Sequence, residues 1–453
     1  MRRFPPQFWI GALGLAFSEY CLFAKIEPIH TFFYSWAWWS YILLVDGIVK
    51  WKRGESLLSD RPKELLVLSF WSIAAWNVYE VFNFRLQNWY YVMVPPDPLM
   101  QVIHGNLAFA TVLPGVFLTT DLLESFGLFS RVRMRPWKVS DGLLASIFCI
   151  GLAMGALCLL WPHLFFGLVW GSVAFVLEPI VHKKGGRSLL RDFERGEPGR
   201  FLRLLAAGLV TGGLWEFWNY WTRTKWIYTV PGLEELKLFE MPLAGFIGFP
   251  PFVVECYVMY AFLGLFRGNK GWERGADGPG MTRRFAWASF AVACVFNLVV
   301  GNFIWLWTMS SFDAPLATAP GVTKVDADAL GSLGIERPFD LLRAIEKKGR
   351  DAVARESGLA PPRIAELEAR SRLIENKGIG VQNAWLLDQA EITTLEDLAG
   401  RDPAGLTLQL EEIAKIWEWP APYEAQVAVW IRAARKHSVP GGEPADGAGV
   451  SVR

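Results

Sequence analysis

Over residues 1–310, apolar runs of roughly 20 residues, enough to cross a bilayer core as a helix, alternate with short loops in which Lys and Arg collect. The runs predict about nine spanning helices, near 8–24, 31–49, 65–84, 99–123, 139–160, 164–181, 201–220, 239–266 and 285–309. Beyond 310 the long runs stop. A loose Ala/Pro/Thr linker over 311–321 leads into 322–436, where Leu at core spacing and Thr or Pro at helix starts predict a small soluble helical domain. The Gly- and Pro-rich end, 437–453, predicts disorder. The expected fold class is all-α: a polytopic membrane bundle carrying a soluble helical C-terminal domain.

Basic residues occupy alternate loops: the N-terminus, 50–63, 131–138, 183–203 and 267–284. The excess of Lys and Arg assigns these loops to the cytoplasmic side. An odd number of crossings then leaves the C-terminal domain outside the cytoplasm. Met1-Arg2-Arg3 before an apolar run has the shape of a signal peptide, yet no convincing small-residue cleavage site precedes Lys25. The run is therefore expected to remain as the first helix.

The pattern is written twice. Residues 79–95 read YEVFNFRLQNWYYVMVP and residues 214–231 read LWEFWNYWTRTKWIYTVP, so that Glu80, Asn83, Trp89 and Tyr91 answer Glu216, Asn219, Trp226 and Tyr228. The echo extends outward: RGESLLSD at 53–60 answers GGRSLLRD at 185–192, Asp46 answers Glu178, His30 answers His163, His104 answers Glu240 and Pro114 answers Pro250. Similarity between unrelated apolar helices would match Leu and Phe, not Glu, Asn, Asp and Pro in order. Two repeats are expected, about 8–124 and 139–266, with the run at 285–309 outside them. Four helices per repeat is an even number, so the copies should run parallel about an axis along the membrane normal.

Composition agrees with a membrane protein: 52% of the 453 residues are hydrophobic and 15% aromatic, with 23 Trp and 32 Phe, which an ordinary soluble domain does not carry. The net charge of +1 conceals an uneven division. Residues 312–453 hold 17 Lys and Arg against 22 Asp and Glu, and the remainder 28 against 22. An acidic C-terminal domain argues against a nucleic-acid partner. Cys21, Cys149, Cys158, Cys256 and Cys294 all fall in apolar runs without C-x-x-C spacing, which points to free thiols rather than disulfides or zinc. No Walker A, H-E-x-x-H, G-x-S-x-G or usable G-x-G-x-x-G motif occurs. Neither a metal nor a cofactor is expected, and ATP-driven transport and the familiar hydrolase chemistries lack support.

Polar residues inside apolar helices are costly and so are candidates for function. Helix direction puts Glu80, Asn83, His104, Glu216, Asn219 and Glu240 at one outer level. Glu80, Glu216, His104 and Glu240 are the candidate acid/base groups, with His104 facing a carboxylate as the pair that distinguishes one repeat from the other. Asn83 and Asn219, with Trp89, Tyr91, Trp226 and Tyr228, could wall a pocket for an extended apolar ligand. Asp46, Glu178 and Glu255 form an inner polar layer of possible proton donors. The same residue types at the same depths also serve as hydrogen-bonding contacts between helices and as an interfacial aromatic belt.

Within 322–414, Lys377-Gly378-Ile379-Gly380, the helix pair from Asn383 to Ala399 and the opening TTLEDL at 393–398 resemble a bacterial family of tandem helix-hairpin-helix domains of unknown function. An earlier passage, 328–342, reads alike. The resemblance implies two helix pairs joined by small-residue turns. In such modules the G-x-G amides often bind DNA phosphates; on an acidic domain the implied role is docking of a protein partner. In the membrane region, acidic residues beside Pro and aromatics are similar to the small integral-membrane lycopene cyclases, which are internally repeated and protonate an alkene with membrane carboxylic acids. Their adjacent-acid motif has no counterpart here, so no residue is carried over.

Three function classes follow for an integral protein of the bacterial cytoplasmic membrane. The first, favoured because paired polar residues are costly to keep merely as contacts between helices, binds or transforms an isoprenoid or lipid by acid-catalysed cyclisation or isomerisation. The second is a non-catalytic structural or assembly subunit whose C-terminal domain docks a partner. The third is a transporter.

Overall fold

The computed structural model describes residues 3–230, 236–273 and 283–437. They divide into two compact units. The first comprises Met1–Asn88, Val102–Thr222 and Val230–Leu306; the second comprises Trp89–Gln101, Arg223–Thr229 and Trp307–Arg453. The second unit therefore includes two segments from the interior of the apolar region.

The first unit holds α1 (Pro6–Ala24), α2 (Ile29–Arg53), α3 (Leu57–Asp60), α4 (Pro62–Leu86), all but the first turn of α5 (Pro98–Phe109), α6 (Val112–Ser125), α7 (Asp141–Leu160), α8 (Pro162–Phe165), α9 (Val169–Lys183), α10 (Leu189–Glu194), α11 (Gly199–Trp221), α12 (Phe249–Phe266) and all but the last residue of α13 (Arg283–Trp307). Proline at the first turn opens α1, α4 and α8, where its missing N–H costs nothing. Left-handed Lys25 and Gln87 end α1 and α4. Seven stretches are long and apolar enough to cross a membrane: Ile29–Arg53, Pro62–Leu86, Pro98–Ser125, Asp141–Leu160, Pro162–Lys183, Leu243–Phe266 and Arg284–Trp307. The helices expected near 8–24 and 201–220 are present as α1 and α11 but are not among these seven.

The helix expected over 239–266 starts later. A hairpin of β3 (Lys237–Leu238) and β4 (Met241–Pro242) and a 3₁₀ turn at Leu243–Gly248 precede α12. Pro242 is extended (φ −56, ψ 140) and disfavours helix at the residue before it.

Helices pack in matching pairs: α1 on α2 and α7 on α9, α2 on α6 and α9 on α12, α4 on α6 and α11 on α12. Glycine marks the closest crossing in two of them. A Cβ on Gly11 would strike the α2 backbone at Leu44 and Ser40, and one on Gly151 the α9 backbone at Phe175 and Val176. Side-chain-free backbone lets helices approach this closely.

The second unit contains α14 (Lys324–Gly331), α15 (Pro338–Lys348), α16 (Arg350–Ser357), α17 (Pro361–Glu375), α18 (Gly380–Gln389), α19 (Leu395–Ala399), α20 (Pro403–Trp417) and α21 (Glu424–His437). Leu330, Leu341, Ile364, Leu386, Leu387 and Trp430 centre its core. The two passages that read alike are two helix pairs, α14–α15 and α18–α19. Thr323 and Thr394 form capping boxes with Asp326 and Asp397. The turns carry positive-φ Gly334 and Glu391, after which Ile335 N and Ile392 N donate to Leu330 and Leu387 carbonyls.

Candidate functional site

Glu80 on α4 and Glu216 on α11 are fully buried, as are Asn83 and Asn219. Trp76 Nε1 donates to Glu80 Oε1 at 2.8 Å, and Asn83 Oδ1 accepts the Asn88 amide at 2.9 Å, closing the turn after α4. Around them lies an aromatic cluster: Trp76 and Trp215 centroids are 5.4 Å apart, Trp38 lies 5.0 Å from Trp218, and Tyr79 and Trp215 both edge Phe252, at 5.3 and 5.8 Å. Tilted and edge-on arrangements suit the ring quadrupoles. Glu80 and Glu216 thus sit on helices that meet through Trp76 and Trp215.

His104 does not face a carboxylate. Its ring stacks on Phe32, centroids 3.4 Å apart and planes 10° apart, and among the described residues it makes no hydrogen bond or ion pair. The backbone at Phe32 leaves the helical region (φ −103, ψ 17). Glu240, expected early in a spanning helix, lies instead in the β3–β4 turn, buried. The acid/base pairing of His104 with a carboxylate therefore does not form.

The inner residues are tied to neighbouring backbone. Asp46 accepts from Ser56 Oγ at 2.7 Å and Leu58 N at 2.9 Å. Glu178 accepts from Ser188 Oγ at 2.6 Å and Leu190 N at 2.9 Å. Ser56 and Ser188 cap α3 and α10 by accepting from Ser59 and Arg191 amides. Each acid therefore staples a helix of a membrane-length apolar stretch to the short helix that begins about ten residues on. Glu255 has a different set: Tyr79 Oη at 2.8 Å and the amides of Val173 and Ala174 at 2.8 and 3.1 Å, just past the non-helical Trp170 of α9. Asn77, three residues before Glu80 on α4, donates to Asn297 Oδ1 at 2.9 Å.

The four aromatic candidates lie on strands. β1 (Trp89–Val92) and β2 (Lys225–Tyr228) pair antiparallel, Trp89 opposite Tyr228 and Tyr91 opposite Trp226. Residues directly opposite share a face, so these four lie on one side. On the other side Tyr90, Val92 and Ile227 join Met93 and Val429 of α21 in a small core. The far edge of β1 is also paired. Tyr91 N donates to Thr308 O at 2.8 Å, Ser310 N to Tyr91 O at 2.8 Å, Val94 N to Ser311 O at 3.1 Å and Asp313 N to Val94 O at 2.9 Å. Residues 308–313, partly inside the expected linker, are thus a paired strand-like segment.

Arg223 was not singled out by the sequence pattern. Its guanidinium, 4% exposed, forks to Asp313 (2.6 and 3.0 Å) and Glu375 (2.9 and 3.2 Å) and lies 4.4 Å over the Phe339 ring. Arg337 also donates to Asp313, at 2.9 Å. Burial alone would raise the Asp313 carboxyl, but the two arginines hold it below its ordinary value. The signal available was a difference between two similar stretches of sequence: TRTK at 222–225 has no basic counterpart in RLQN at 85–88 beyond Arg85.

The two glycines of the Gly378-Ile379-Gly380 stretch belong to the same assembly. Gly378 and Gly380 have φ of +65 and +71; a Cβ on Gly378 would strike Val92 of β1, and one on Gly380 would strike Ser311. Only glycine combines this backbone with so close an approach. Residues 320–437 match the family model of a domain of unknown function, DUF4332. No curated protein and no solved structure matches the chain. Within the DUF4332 domain, the G-x-G faces strand β1 and the 308–313 segment rather than an open surface.

Proposed function

We propose that the protein is a non-catalytic structural or assembly component of a membrane complex, an internally duplicated helical bundle that presents the DUF4332 domain to a protein partner. The observation that carries this reading is the pair of staples at Asp46 and Glu178, in which each acid accepts from a serine hydroxyl and a backbone amide; Asp46 uses both oxygens, whereas both bonds to Glu178 fall on Oε1 and its buried Oε2 has no partner among the described residues. A catalytic carboxylate needs a free lone pair or proton directed at substrate, and both oxygens of Asp46 are committed to holding helices. Asn77 to Asn297 and Glu255 to Tyr79 follow the same logic.

Duplication is supported by the matched helix pairs, the matched glycine crossings and the strand ladder. Tyr90 pairs with Ile227, positions that correspond between the copies, so a pseudo-twofold axis would pass through that pair. The ladder also supports a crossing by α11 despite its Arg200, Arg203 and Glu216. Paired strands cannot lie on opposite sides of a bilayer, so an even number of crossings must separate β1 from β2 and β1 from 308–313. That parity is met when α11 is counted as a crossing. With α1 (Pro6–Ala24) counted as well, the crossings number nine, and a cytoplasmic N-terminus would put the DUF4332 domain outside the cytoplasm, which cysteine labelling in 322–436 from outside intact cells tests.

A lipid- or isoprenoid-binding site retains one specific support, the full burial of Glu80 and Glu216 beside the aromatic cluster. Three variants separate the readings: Asp46→Ala, Glu178→Ala, and Glu80→Gln combined with Glu216→Gln. The structural reading predicts that the first two lower accumulation and melting temperature by similar amounts and that the third releases no bound small molecule. A third variant that melts like wild type but loses a co-purifying lipid or pigment would overturn it.

A further inference from the structure

α13 lies outside the duplication and has two faces. One seats it on the bundle: Ala293, Val300 and Ile304 are buried, Phe290 meets Phe70 at 4.6 Å, and Asn297 accepts from Asn77. The opposite face is open. Ala288, Ala291, Val295, Leu298, Asn302 and Trp305 are all exposed, and their spacing of 3, 4, 3, 4 and 3 is the a/d stripe of a coiled-coil seam. The stripe carries no charge. In an Arg284–Trp307 stretch apolar enough to cross a membrane, it contains one amide, Asn302.

An exposed amide facing hydrocarbon lacks the water that would satisfy it. Asn106, also exposed, donates to the Val102 carbonyl of its own helix. No described residue bonds the side chain of Asn302. We infer that α13 is the seam of a parallel homodimer, in which Asn302 hydrogen-bonds Asn302 of a second copy. The second copy is the occupant that the geometry favours for two reasons. An amide is both donor and acceptor, so a twofold axis satisfies both groups with identical partners. Copies inserted with the same topology also bring their α13 helices together parallel and in register, setting residue 302 against residue 302 without further adjustment. A single polar residue at an a position is a known device for selecting register and a two-stranded state.

This inference rests on the reading that α13 spans a membrane, which resistance of the full chain to alkaline extraction from membranes tests separately. The experiment is sedimentation equilibrium of the full-length protein in detergent micelles at several protein-to-detergent ratios, for wild type, Asn302→Gln and Asn302→Leu. In parallel, single cysteines at 295, 296, 298 and 302 are oxidised in membranes in a background lacking Cys149 and Cys294. The result expected is a dimer that Asn302→Leu weakens by about threefold to tenfold, that Asn302→Gln retains in part, and that cross-links at 295, 298 and 302 but not at 296. Leu is well suited to lipid, so a melting temperature matching wild type shows that weakening is not misfolding. A monomer at all ratios, a dimer indifferent to Asn302→Leu, or cross-links without the stripe's spacing would overturn the inference. A non-identical partner on this face would show as a monomer that cross-links to another chain.

Discussion

Replacing Arg223 by Met removes a charge from a place that has almost no water. Arg223 is 4% exposed, Asp313 7% and Glu375 17%, and the methionine keeps most of the stem's volume. Breaking a buried pair by deleting one partner costs about 3–5 kcal/mol, chiefly because the other charge stays behind uncompensated. Arg337 still reaches Asp313, which places the expected loss toward the lower end, about 3 kcal/mol. The pH dependence gives a second handle. In wild type Asp313 is depressed, so its contribution is present above the unfolded carboxylate value of about 3.9 and is lost as pH falls through the depressed value. Without Arg223, burial dominates, and Asp313 takes up a proton more readily in the folded protein. The deficit of the variant should therefore be largest at neutral pH and narrow as pH approaches about 4. Urea unfolding of the detergent-solubilised full chain at pH 7 and pH 5 measures both quantities. Hydrogen–deuterium exchange locates the effect, which should appear as faster exchange in 89–94, 225–228 and 308–313. A loss below about 1 kcal/mol, or a deficit that widens toward low pH, would refute the reasoning.

Gly378→Ala should destabilise the second unit by about 2–4 kcal/mol, combining a left-handed backbone penalty with overpacking against Val92. Val92→Ala should recover part of it in the double variant by chemical denaturation. Asp46→Ala leaves the Ser56 hydroxyl and Leu58 amide without their acceptor and should cost about 1–3 kcal/mol, with Glu178→Ala close to it in the same melting assay. His104→Phe should stay within about 0.5 kcal/mol of wild type, since the ring's contact is a stack on Phe32; a marked loss of stability or of an assayable activity would restore an acid/base role. Asp326 is held down to about 2, first by its hydrogen bonds from Arg363, so its stabilisation is present above the unfolded value of about 3.9 and fades as pH falls toward 2. Arg363→Met should accordingly move the onset of acid unfolding, followed by circular dichroism, to higher pH.

The apolar periodicity made the helical class legible, because run length and loop charge are local properties. The repeated Glu80/Glu216, Asp46/Glu178 and Ser56/Ser188 positions were visible for the same reason. What those acids bond to was not, since hydrogen-bond partners such as Ser56 and Leu58 become evident only once the chain between them turns. Glu240 was misplaced because continuous apolarity over 239–266 hides the hairpin that Pro242 imposes. The aromatic echo was read as a belt or pocket wall because Trp and Tyr suit both; strand pairing depends on a segment more than a hundred residues away. The 308–313 segment passed for a linker for the same reason, and Arg223 escaped notice because its partners, Asp313 and Glu375, lie 90 and 152 residues off.

The central claim, that the buried polar residues hold the bundle together rather than act on a ligand, is tested most directly by native mass spectrometry of the protein extracted from its own membrane. The account predicts the bare mass of the chain or of its assemblies with protein partners, with no stoichiometric small molecule. A lipid or pigment bound one to one, and lost when Glu80 and Glu216 are both changed to Gln, would contradict it.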